Sequence, residues 1–372
     1  MTLVLRNLLH DRGRTAVGIV GVAFAVFLMV FQGALLVGFV QAAGRLVTTS
    51  DGEVWVGGRG TPCFQYGPPI DERFRDLVRA TPGVRGVARV ALGFTQWKTT
   101  GGATLTVFLA GADPEIGPAF PLPYASAERG TLRPEAVLFP ESDRRLLELA
   151  SLPLPVEIAG GRATALRSVA GHGSFLGCPT VFASLEDGRR YLGMTGDEAT
   201  FLALDLAPGA DPAAVRRSIA AKFPELDAWT KDELAWLTAR YWLLETGAGG
   251  GILMAGLLGF AVGTLIVSQT VYAATLDRIE EYATLKAIGA SDAFLRRTVG
   301  AQALASGALG WLAGVAFAFP ATWAAVRLIP WISPPGPLAA AVLVPTAAMS
   351  LLASIASIRR VTRVEPARVF RA

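Results

Sequence analysis

The chain is 372 residues long, 52% hydrophobic and 17% charged, with 34 Lys and Arg against 30 Asp and Glu for a formal charge of +4. Four stretches of about 29 to 31 residues carry no charged side chain, and a segment of roughly 200 residues in which charges do occur separates the first stretch from the second. That distribution excludes a wholly soluble protein, and because the surplus basic residues flank the apolar runs it gives no support for nucleic acid as a partner.

Residues 1–14 are expected to form a cytoplasmic amphipathic segment carrying Arg6, Arg12 and Arg14. The uncharged run at 15–44 imitates a signal peptide, but it is too long and too poor in a small-residue cleavage site to be removed. It is predicted to remain as the first transmembrane helix.

The 45–245 segment alternates strand-like and helix-like pieces and is predicted to be a folded α+β domain, inserted between the first and second membrane helices. Strands are expected at 53–57 and 104–111, with a helix over 71–81 that starts at an Asp71 cap and ends at Pro82-Gly83. Residues 113–197 open on a Pro-rich stretch and continue with a short helix at 141–150 and strands at 155–158, 163–169 and 180–183. They are predicted to be a subdomain inserted into the first, which comprises 45–112 and 198–245. The chain then returns to a strand at 200–206 and to a helix at 211–223 with Pro212 in its first turn, a pair expected to pack beside the opening strand and helix. No repeat at a fixed period is visible.

Three further membrane helices are predicted at 246–276, 298–326 and 338–358, the last within an uncharged run from 328 to 358. Arg278, Lys286, Arg296 and Arg297 lie in the 277–297 loop, and Arg359, Arg360, Arg363, Arg368 and Arg371 in the 359–372 tail. The short 327–337 loop has Arg327 alone at its edge. Basic residues are retained on the cytoplasmic side, so both termini and the 277–297 loop are expected there and the 45–245 domain outside. Gly259 with Gly263, and Gly310 with Gly314, have the G-x-x-x-G spacing that lets helices approach closely, either within the chain or across a dimer. No charge sits in the middle of a membrane run, so no proton relay or ion path is expected.

Within the 277–297 loop, Ile279, Tyr282, Leu285 and Ile288 recur every three residues and read as an apolar stripe on a short helix. Gly289 suits the left-handed cap that would end it, and Ser291 can cap the next helix. The stripe needs cover, from lipid headgroups or from a docked protein.

Cys63 and Cys178 both fall in the outside domain, where they are either a disulfide or two unpaired core thiols. His10 and His172 lack neighbours at ligand spacing, so no metal is assigned. No Lys follows the glycine pair of a phosphate-binding loop, so the chain is not expected to be its own ATPase.

The run R-x-x-E-x-x-x-L-x-A-x-G-A at Arg278, Glu281, Leu285, Ala287, Gly289 and Ala290, with the tail R-V-x-P-A at 363–367, resembles the FtsX, MacB and lipoprotein-releasing permeases, the type VII mechanotransmission family of ABC transporters. The 17–35 stretch is most similar to DevC-type exporter permeases, and Pro82-Gly83-Val84 resembles the periplasmic domain of MacB-like members. The resemblance implies a non-catalytic, dimeric permease of the bacterial inner membrane, homomeric or paired with a related permease, with a porter-like outside subdomain and a smaller inserted one. A separate ATPase subunit would carry the ATP and magnesium, with no cofactor in this chain. Arg278, Glu281, Leu285, Lys286 and Gly289 would dock it. Further partners implied are a periplasmic adaptor, an outer-membrane channel and membrane lipids, with export of a lipid, glycolipid, peptide or drug-like substrate. The alternative is an FtsX-like signalling complex that switches a cell-wall hydrolase. A membrane enzyme is a third reading, weakly supported because His172 and Cys178 lack a triad context.

Overall fold

The computed structural model describes residues 12–113, 134–169, 177–277, 279–329 and 331–362. They fall into two compact units, one made of residues 1–38 and 249–372 and the other of residues 39–248.

The chain opens on helix α1 (Arg12–Thr48). In the 39–248 unit follow β1 (Val54–Gly58), β2 (Ile70–Asp71), α2 (Phe74–Arg79), β3 (Val84–Lys98), β4 (Thr104–Ala112), β5 (Ala136–Pro140), β6 (Leu154–Ile158), β7 (Gly161–Val169) and β8 (Thr180–Ser184). The unit continues with α3 (Leu185–Leu192), β9 (Glu198–Ala199), β10 (Phe201–Leu206), α4 (Pro212–Lys222), β11 (Leu226–Thr230) and α5 (Lys231–Arg240), and ends in a π-helical turn at Tyr241–Glu245.

Nine of these strands form one mixed sheet in the order β11-β1-β10-β3-β4-β8-β5-β7-β6. The far end of β3 also pairs with β6, Trp97 opposite Ile158 and Lys98 opposite Glu157, so the six strands from β3 to β6 close on themselves. Alternation along β4 then serves two cores. Val107 and Leu109 join Trp97, Val137, Phe139, Ile158 and Val181 inside the closed part. Phe108, Ala110 and Ala112 join Trp55, Phe64, Phe182 and Phe201 on the other side. A third cluster places α4, through Val215 and Ile219, on β1 and β10, whose Val54, Val56, Leu202 and Leu204 it covers. The region read as an inserted subdomain is thus hydrogen-bonded into the same sheet through shared strands.

Local differences from the sequence reading have local causes. The helix expected at 71–81 is only α2, because Asp71 ends β2 and its carboxylate accepts the Arg73 N–H at 2.8 Å, turning the chain before the helix begins. The helix expected at 141–150 is a single 3-10 turn, Glu141–Asp143. Glu148 takes a left-handed φ of 55°, while the buried Asp143 carboxylate is held by the Thr180 N–H at 2.9 Å. Helix α3 went unpredicted, although Ser184 caps it by accepting the Asp187 N–H and Gly193 ends it at φ 67°. Helix α5 likewise carries a full capping box between Thr230 and Glu233.

The second unit adds α6 (Ala248–Asp277), α7 (Ile279–Ala287), α8 (Asp292–Ala325), α9 (Gly336–Ala341) and α10 (Leu343–Thr362) to the first part of α1. Among the described residues four helices are long and apolar enough to cross a membrane: Ala16–Thr48, Ala248–Asp277, Asp292–Ala325 and Gly336–Arg359. Helix α8 begins before its uncharged run because Ser291 caps it, so Arg296 and Arg297 are helical. The last membrane helix is divided at Val342. Pro345 has no N–H to offer the Ala341 carbonyl four residues back, and its ring crowds that carbonyl.

Candidate coupling surface

Helix α7 is built to stop and turn. Gly289 has φ 103°, the Ala290 N–H donates to the Leu285 carbonyl at 2.9 Å, and the Gly289 N–H donates to the Lys286 carbonyl at 3.1 Å. This paired closure satisfies the last carbonyls of the helix. Two residues on, the Ser291 hydroxyl accepts the Phe294 N–H at 3.2 Å and starts α8.

The helix divides its residues between inside and outside. Tyr282 and Ala283 are buried, and Tyr282 and Leu285 pack into the core of the helical unit with Leu295, Val299 and Ala353. The Lys286 ammonium donates to the Thr362 carbonyl at 2.7 Å and pairs with Asp292 at 3.2 Å. Glu280, Glu281, Thr284, Ala287 and Ile288 stand exposed, Ile288 at 80%. Of the residues expected to dock a partner, Glu281 faces outward, Gly289 caps, and Leu285 and Lys286 are engaged within the chain. Arg278 lies outside the described residues, as do the 363–367 tail motif and His172.

Ile288 is the outward apolar residue, and the expected stripe misplaced it. Nine residues separate Ile279 from Ile288, about two and a half turns at 3.6 residues per turn, so the two fall on opposite sides. A period of three drifts around an α-helix.

The four glycines pack helices within this chain. A Cβ on Gly259 would lie 3.3 Å from the Leu28 Cβ, and one on Gly263 would meet Ala25 and approach the Met349 sulfur to 2.9 Å. On α8, a Cβ on Gly310 would strike Val22, and one on Gly314 would come within 2.7 Å of the Val26 Cβ. Both G-x-x-x-G pairs therefore face α1 of the same chain, tightly at Gly259 and with no room for a side chain at Gly263, Gly310 and Gly314.

Cys63 and Cys178 are both free, correcting the candidate disulfide. Cys63 is fully buried, and the Cys178 thiol donates to the Thr106 carbonyl at 3.3 Å. Burial pushes each thiol up to about 11, so neither is a nucleophile at neutral pH. Among the described residues no group of three or more His, Cys, Asp or Glu could hold a metal ion.

Residues 253–366, from early α6 through α10 and beyond, match the family described as FtsX-like permease C-terminal. Two proteins described as uncharacterized ABC transporter permeases of Mycobacterium tuberculosis, from strains CDC 1551 and H37Rv, are 33% identical to this chain over 125 residues. That match spans 33% of this chain and about a third of the relatives' length, 34%. The periplasmic region of MacB from Actinobacillus actinomycetemcomitans is similar at 8% identity and a TM-score of 0.35, covering 49% of this chain and 89% of that one. The extracellular domain of the noncanonic transporter YknZ from Gram-positive bacteria is similar at 9% identity and a TM-score of 0.34, covering 48% and 99%.

Proposed function

We propose that this FtsX-like permease couples ATP hydrolysis by a separate ABC ATPase subunit to a conformational change of its 39–248 unit outside the membrane. The observation that carries the reading is α7. It lies between two helices of membrane-crossing length, is seated on its own core by Tyr282 and Leu285, and offers Glu280, Glu281 and Ile288 outward. An exposed Ile rimmed by carboxylates suits an apolar notch with a basic edge on the ATPase. The basic residues of the 277–297 loop and the C-terminal tail support a cytoplasmic location for that surface. The permease would act as a dimer, with a periplasmic adaptor and an outer-membrane channel. It would export a lipid, glycolipid, peptide or drug-like cargo handled outside or at the outer leaflet.

Co-purification tests the docking assignment. Ile288→Asp places a carboxylate where a partner must desolvate it, and is expected to abolish recovery of the ATPase while the permease still inserts. Glu281→Ala should weaken recovery only mildly, since a partly solvated pair is worth about 1 kcal/mol or less. Undiminished ATPase recovery with Ile288→Asp would remove this face from the coupling role.

A further inference from the structure

The described residues of the 39–248 unit expose five large apolar side chains: Tyr66, Leu77, Leu146, Trp236 and Leu244. Three of them belong to one corner. The 63–66 loop is fastened there to three pieces of chain. The Phe64 N–H donates to the Thr238 hydroxyl at 3.0 Å, the Gln65 amide donates to the Ala43 carbonyl at 3.2 Å, and the Trp242 indole donates to the Gln65 oxygen at 3.1 Å. The Tyr66 ring lies 6.1 Å from Tyr241 and 6.2 Å from Trp242. Trp236 is 64% exposed and Leu244 is 66% exposed. They are eight residues apart, and because the chain between them passes from an α turn into a wider π turn, those eight residues make close to two revolutions. Both side chains therefore come to the same side.

We infer that this corner, with Trp236, Leu244 and Tyr66 at its surface, beds into the outer headgroup layer of the bilayer. The length of α1 sets the level. Thirty-one residues of helix separate Arg14 from Arg45. That is about 46 Å at 1.5 Å per residue, against about 40–45 Å for a bilayer with its headgroups. With Arg14 at the inner surface, Arg45 reaches the outer one. Gly44 is in contact with Ala235, the residue before Trp236, since a Cβ on Gly44 would stand 3.0 Å from that of Ala235. Trp236 is consequently carried at headgroup depth. Its surroundings suit that layer, because Asp232, Glu233 and Arg240 are exposed on the same helix. Trp and Tyr favour the zone where one end of the ring is apolar and the other wet. The inference rests on the membrane reading of the chain.

Trp236→Phe is a conservative change at an exposed position, so the emission lost between the full-length protein and this variant isolates Trp236. Both are reconstituted in phosphatidylcholine vesicles, and flotation with the vesicles checks the membrane reading by itself. In floating protein, Trp236 is expected to lose most of its emission with lipids brominated at carbons 6 and 7. It should lose less with bromines at carbons 11 and 12, and little with aqueous iodide. Strong quenching by iodide without quenching by bromolipid would overturn the inference in favour of open solvent. Shielding from both would overturn it in favour of a second copy or another protein.

Discussion

Leu285 and Ile288 sit three residues apart on α7, and the structure gives them opposite duties. Leu285 is half-buried against the chain's own core, so Leu285→Asp is expected to destabilise the protein itself and to lower its yield in membranes, read by quantitative blotting. Ile288→Asp should leave yield unchanged. The thiols give a second residue-scale expectation. Cys63 titrates near 9.0 when unfolded and is pushed up to about 11 in the fold by burial, as is Cys178. The fold thus favours the neutral thiol. Its stabilising effect is complete below pH 9 and is lost as pH rises from 9 through 11. Thermal melts should show a steeper loss of stability over that interval for the native protein than for Cys63→Ala. Gly289 and Ser291 were legible in the sequence because a left-handed turn and a helix cap each demand a narrow set of residue types. The inward packing of Leu285 was not, because it depends on Leu295 and Ala353, which no local pattern brings near.

Among the elements, the membrane helices were the most legible, since a bilayer demands long runs without charge. Their packing was legible as spacing only: Gly259, Gly263, Gly310 and Gly314 announce close approach, but the identity of the facing helix depends on the fold. Gly263 faces Ala25 and Met349, so Gly263→Val is expected to destabilise the purified protein by about 1–3 kcal/mol through overpacking. Gly251 on the same helix has nothing within 4 Å of an added Cβ, and Gly251→Ala should be neutral or stabilising. Melting in detergent by intrinsic fluorescence separates the two. The soluble elements were read less well. β3 interrupts its alternation with Gly86, Gly93 and two arginines and did not show the period of two that marks a half-buried strand, whereas β4 follows the strand expected at 104–111. Helix α3 does carry sequence signals of its own, a Ser184 cap and a Gly193 stop.

For the whole molecule, the distribution of basic residues carries the topology. Ala287 is exposed on α7, and Ala287→Cys is expected to react with a membrane-impermeant maleimide only after the cells are opened. The two native thiols should contribute little background, because burial keeps them protonated. Labelling of intact cells would invert the orientation and remove the 277–297 loop from any cytoplasmic partner. The order of helices and domain was readable because composition changes sharply at each boundary. The closure of the sheet was not, since β3 meets β6 across more than fifty residues of intervening chain.

That closure bears on how the 39–248 unit can be cut and rearranged. Because β4 feeds one hydrophobic core with its odd residues and another with its even ones, neither half of the unit owns its boundary. Excising 113–197 would strip β8 from β4 and β6 from β3, leaving two strands with bare edges and an uncovered apolar face. Such edges recruit strands from neighbouring molecules. A chain shortened in this way is expected to sediment as aggregate, whereas whole-unit exchange at residues 39 and 248 leaves every strand its partner. Inheritance and engineering alike would then have to move the unit intact.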